Sequence, residues 1–106
     1  MVYYCGYLMR KDWLLQRAAD WGEPPTTATI DFIAMASRHV RVQTGVYCYT
    51  KFRRVKTVKG TVFWCIAFAS NDPGEQLPTS APSEEKYKAL KEVLQREGPP
   101  LWYRAY

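Results

Sequence analysis

Two strand-like runs, residues 46–57 and 61–69, flank Val58-Lys59-Gly60-Thr61, and this hairpin constrains the chain more than any other feature. β-Branched and aromatic residues dominate both runs, and they suit a pleated surface. Gly60 can take the positive φ that a tight turn needs. With Lys59 and Gly60 as the two central residues, Val58 faces Thr61, Val55 faces Trp64, Arg54 faces Cys65 and Arg53 faces Ile66. Side chains alternate with period two, so the register sorts the hairpin into two faces. Tyr47, Tyr49, Lys51, Arg53, Val55, Val62, Trp64, Ile66 and Phe68 share one face. The bulk of its second strand marks it as the core face. Cys48, Thr50, Phe52, Arg54, Lys56, Phe63, Cys65, Ala67 and Ala69 share the other.

The flanking segments supply the remaining elements. Residues 2–9 read as a strand rich in tyrosine. Residues 11–21 read as a helix, with Leu14, Ala18 and Trp21 on one stripe and Gly22 and Pro24-Pro25 ending it. A second helix is expected over 27–40, capped by Thr26 or Thr27, with Asp31 near its start and Arg38, His39 and Arg41 at its end. Ile30, Ile33, Ala34 and Ser37 form its inner face. Residues 70–82 form a loop dense in turn chemistry and broken by Pro78 and Pro82. Ser83 caps a helix over 84–97 with Tyr87, Leu90, Val93 and Leu94 as its buried stripe, stopped by Gly98-Pro99-Pro100. Residues 101–105 read as a last strand. The aromatic ending Trp102, Tyr103 and Tyr106 suggests a docked strand or part of a dimer interface.

If the two early helices act as one crossover layer, the order is βαββαβ. That order resembles the ferredoxin-like fold: a four-stranded antiparallel sheet with helices on one face. Here the first helix is split. A sheet of different strand order beside an independent helical pair is the alternative. The ferredoxin-like reading leaves the second sheet face bare, as a contact surface or a place for a second copy of the chain.

With 106 residues, the chain reads as a single α+β domain spanning 1–106. Its 47% hydrophobic content excludes intrinsic disorder. The longest apolar run, Val62 to Ala69, is far too short to span a bilayer. The first residues lack the leading charge and apolar stretch of a secretory signal, so no membrane partner and a cytoplasmic location are expected. Cys5, Cys48 and Cys65 form an odd, irregularly spaced set embedded in apolar runs. They are expected as buried thiols rather than a disulfide framework.

The net charge of +5 favours anionic partners, and its distribution is more telling than its size. Five cations fall between Lys51 and Lys59, interleaved with Phe52. Cations attract phosphates, and aromatic rings stack on unpaired bases. Lys51, Phe52, Arg54, Lys56, Lys59 and Phe63 are therefore the candidate binding residues for an anion or a nucleic acid. Lys59, Gly60 and Phe63 resemble part of the third-strand motif of RNA-recognition domains. Thr61, Val62, Trp64 and Ile66 depart from it, so membership does not follow.

Catalytic signals are thin. His39 is the only histidine, and Asp31 stands two turns away from it. No cysteine pair has zinc-site spacing, and the glycines are too isolated for a phosphate loop, so neither metal nor cofactor is expected. Three readings remain. One is a non-enzymatic binding domain using an aromatic-basic sheet face, as a homodimer or alone. The second is a single-stranded nucleic-acid (RNA) binder. The third is a small enzyme drawing on His39, Cys65, Arg54 and Tyr4, with Arg54 as the cation that activates the Cys65 thiol.

Overall fold

The computed structural model describes residues 1–20 and 29–106. In chain order the elements are β1 (Tyr3–Met9), α1 (Lys11–Asp20), α2 (Thr29–Gln43), β2 (Lys51–Lys56), β3 (Val62–Ser70), α3 (Glu84–Val93) and β4 (Leu101–Ala105). The fold is mixed α+β, with a four-stranded antiparallel sheet and, among the described residues, three helices. Trp21, the Gly22 and Pro24-Pro25 stop and the Thr26 or Thr27 cap lie outside the described residues. No helix among the described residues is long and apolar enough to cross a membrane.

Leu14 of α1, Ile33, Ala36 and Val40 of α2, and Tyr87 and Leu90 of α3 are buried against Tyr7, Met9, Ile66 and Phe68 of the sheet. Each large aliphatic side chain so placed contributes on the order of 2 kcal/mol through removal of apolar area from water. Backbone conformation at single residues ends α2 and α3. Gly45 takes φ +75, the Val46 amide donates to the Arg41 carbonyl and the Gly45 amide donates to that of Val42. This left-handed cap carries α2 three residues beyond the expected 40. Gln95, at φ 54, ends α3 in the same manner, with Arg96 N–H donating to Lys91 O. The helix therefore stops before the expected glycine-proline signal.

The region 46–50, expected as strand, is instead a 3-10 turn at Tyr47–Tyr49. Arg41 explains the change. Its guanidinium donates to Thr50 Oγ1, to the Thr50 carbonyl and to the Tyr47 carbonyl, and it lies over the Tyr47 ring. These bonds from the end of α2 outweigh the local strand propensity.

The hairpin register is one residue away from the sequence expectation. Thr57 N–H donates to Thr61 O, Gly60 N–H donates to Thr57 O, and Gly60 has φ +83. The loop thus has three residues, Val58, Lys59 and Gly60, with glycine in the left-handed position. Arg54 faces Trp64, Val55 faces Phe63 and Phe52 faces Ile66. The slip inverts β2 relative to β3. Phe52 stacks on Trp64 under the helices, while Val55 is buried beside Cys65 and Ala67 on the opposite side.

That opposite side is not a bare face, which corrects the expected open sheet. β1 pairs with β3 and β4, and β2 also pairs with both, so the strands close in the ring β1-β3-β2-β4. The open ferredoxin-like sheet is replaced by a small barrel filled by Tyr4, Val55, Cys65 and Ala67. Small side chains permit so tight a closure. Gly6 sits at a bulge in β1, which bends the strand over β3. A Cβ at Gly6 would stand 2.0 Å from the Ile66 carbonyl oxygen. The face expected to be open is therefore enclosed among the four strands.

Candidate ligand-binding groove

The barrel has two unlike ends. At one, Arg53 Nε donates to Glu75 Oε2 at 2.8 Å, and Glu75 reaches this point from a 3-10 turn, Pro73–Glu75. Asp72 holds that turn by accepting from Gly74 N–H, and Ser70 N–H donates to Pro78 O. The 70–82 loop is thus anchored, and Leu77 packs against the barrel interior. Burial, and then the Glu75 charge, pushes the Tyr4 hydroxyl pKa up. This end is plugged.

The other end opens because the closing seam is short. β2 and β4 are zipped by two residue pairs, Val55 with Ala105 and Lys56 with Arg104, plus the Tyr106 N–H to Arg54 O bond. Beyond Lys56 the hairpin turns away. Beyond Arg104 the chain runs back along β1, where Trp102 faces Cys5 and Leu101 faces Gly6. The segment before β4 is fixed by Tyr7 OH donating to Gly98 O at 2.9 Å and by Arg96 donating to Leu8 O at 2.6 Å. Splayed apart, the hairpin tip and the first half of β4 leave a groove of about 960 Å³.

Its floor is apolar. Leu8, Phe63 and Tyr103 line it and are half-buried against the barrel core. Exposed residues form its rim: Lys56 and Lys59 on the hairpin side, Trp102 and Arg104 on the β4 side, with Tyr3 adjacent; strand alternation turns the Lys56 and Arg104 side chains to the outer face, with Arg54. No acidic residue among the described residues lines it. Lys56 and Arg104 stand directly opposite each other across the seam. Like charges in that position are unfavourable in a sheet. Neither has an acidic partner among the described residues. Burial pushes the Tyr103 hydroxyl pKa up, so the floor carries no charge at neutral pH.

The six residues singled out from sequence divide three ways. Lys56, Lys59 and Phe63 meet in the groove. Arg54 is exposed outside its mouth, 4.7 Å over the Trp64 ring and 6.0 Å over that of Tyr106. Phe52 lies on the other side of the sheet from Phe63, its ring 4.6 Å from Trp64 and nearly parallel to it. Lys51 starts β2 opposite Ala67, away from the groove. Tyr3, Leu8, Trp102, Tyr103 and Arg104 join the groove without standing among the six residues that the sequence singles out. The aromatic run at residues 102–106 was the available signal, but only the β2–β4 seam brings it to the hairpin.

The candidates for chemistry are scattered. Cys65 is fully buried, and burial followed by proximity to Cys5 pushes its thiol pKa far up. Arg54 faces Trp64, not Cys65, so the proposed activation has no geometry. Burial raises Cys5 to about 11, while Cys48 is exposed, contrary to the buried position expected for it. Tyr4 is inside the barrel and His39 is exposed on α2. Among the described residues no three His, Cys, Asp or Glu side chains gather as a metal site.

No known protein family, no curated protein and no solved structure matches the chain. The chemistry of the groove therefore carries the functional reading alone.

Proposed function

We propose that this protein is a non-enzymatic binding domain whose groove between the hairpin tip and β4 takes an anionic ligand with a flat apolar part. The observation that carries this reading is the pairing of Lys56 with Arg104 across a seam, at the rim of an apolar aromatic floor that has no acidic neighbour among the described residues. Two facing cations cost stability, and a bound anion offsets that cost. Tyr103 and Phe63 offer ring faces or edges to a planar group, and water leaving an apolar concavity adds to affinity. The element order is in keeping with a ferredoxin-like sheet in which β1 lies between β3 and β4 and the two outer strands are brought together.

Anilinonaphthalene sulfonate, a flat aromatic anion, is a direct probe. It should bind the folded protein at about one site with enhanced emission, and added salt should weaken it because exposed charges are screened. An uncharged naphthalene analogue binding equally well, or no emission change with the folded protein, contradicts the reading.

A further inference from the structure

Cations and aromatic rings do not stop at the groove mouth. On β2, Arg54 and Lys56 project from the same side, two residues apart, and both are exposed. Alternate residues on a strand are about 6.6 Å apart, close to the repeat of phosphates along an extended single-stranded nucleic acid. Tyr106 joins the two, with its ring 6.0 Å from the Arg54 guanidinium carbon and 5.9 Å from Lys56 Nζ. Beyond Lys56 the row continues into the groove with Arg104 across the seam and Lys59 on the turn. A mononucleotide in the groove would leave Arg54 and Tyr106 unused. A longer chain of phosphates meets all four cations.

The aromatic residues divide in a way that fits the same ligand. Phe52 and Trp64 are already stacked on each other, and Arg54 lies over Trp64. Those rings are engaged within the protein. Trp102, at 42% exposure, and Tyr106, at 67%, present exposed ring surface, that of Tyr106 beside the Arg54 and Lys56 cations. Open rings beside a cation row suit bases that lack a pairing partner, whereas a duplex hides its base faces.

Resting on the groove reading above, we propose that the ligand is a single-stranded nucleic acid laid along β2. Its phosphates lie on Arg54, Lys56, Lys59 and Arg104, and its bases stack on Trp102 and Tyr106.

Fluorescence anisotropy with labelled decauridylate and decathymidylate tests this. Competitors are uridine monophosphate, a ten-base-pair duplex and inorganic polyphosphate of similar charge. Both decamers should bind at least about tenfold tighter than the duplex, the mononucleotide or polyphosphate. Three to four phosphate contacts predict a slope of log affinity against log salt of about −2 to −3. Trp102→Ala should weaken decamer binding roughly 5- to 150-fold, and Trp102→Phe should restore most of it. Circular dichroism checks that both variants fold. Polyphosphate or duplex binding as tightly as the decamers overturns the assignment, as does a Trp102→Ala protein that folds and binds like wild type. If the naphthalene sulfonate binds while the decamers do not, only the nucleic-acid assignment falls. If neither binds, the groove reading falls with it.

Discussion

Gly6→Ala is expected to destabilise the protein by about 3 kcal/mol or more, lowering the melting temperature by roughly 10–25 °C. The added Cβ would meet the Ile66 carbonyl oxygen at 2.0 Å and Cys65 Sγ at 2.8 Å. The first of these belongs to a backbone already committed to the β1–β3 ladder. Relief requires the two strands to part, and that opens the barrel. Gly45→Ala is the matched comparison. There φ is +75 but no atom lies within 4 Å, so the cost is the backbone term alone, about 1–2 kcal/mol. Urea or thermal unfolding of the two variants side by side reads the difference. Equal losses would mean that β1 does not pass so close over β3.

Lys56→Glu should separate stability from binding. Opposite Arg104, a carboxylate replaces a repulsive cross-strand pair by an attractive one. The folded state should gain a few tenths of a kcal/mol, up to about 1 kcal/mol, at low salt. Affinity for an anionic ligand should fall by about ten- to a hundredfold, through loss of one charge-assisted contact and repulsion by the new charge. Anilinonaphthalene sulfonate titration together with thermal melts measures both quantities. A variant that is no less stable and still binds at wild-type strength would remove Lys56 from the site. One that loses stability would dispute the seam itself.

The elements were legible in the sequence because local signals state them: tyrosine-rich β1, Ser83 at the N-cap position of α3 (though its hydroxyl makes no capping bond), the turn around Gly60. Register was not. Lys59-Gly60 fits a two-residue turn as well as the last two positions of a three-residue loop, and the choice inverts β2. Phe52 and Arg54 thereby join Trp64, and Val55 enters the barrel. Closure was written less plainly, though a trace of it was present. The face set aside as bare carries Cys65, Ala67 and Ala69, and β1 carries Gly6, side chains small enough for strands to wind tightly. An exposed sheet face has no such need of small residues. The site depended on that closure, because only the β2–β4 seam places Arg104 and Trp102 beside Lys56 and Lys59. Of the six residues that the sequence singles out, Lys56, Lys59 and Phe63 line the groove. Arg53, thought to face the core, instead plugs the far end of the barrel with Glu75.

Amide chemical-shift mapping during titration with decathymidylate tests the central claim, that the splayed β2–β4 seam is the binding site. The predicted perturbations run through Arg54, Lys56 to Thr61, Phe63 and Leu101 to Arg104, leaving α1, α2 and α3 unmoved. Shifts gathered on the helices or around Lys51, with residues 101–104 silent, would contradict it.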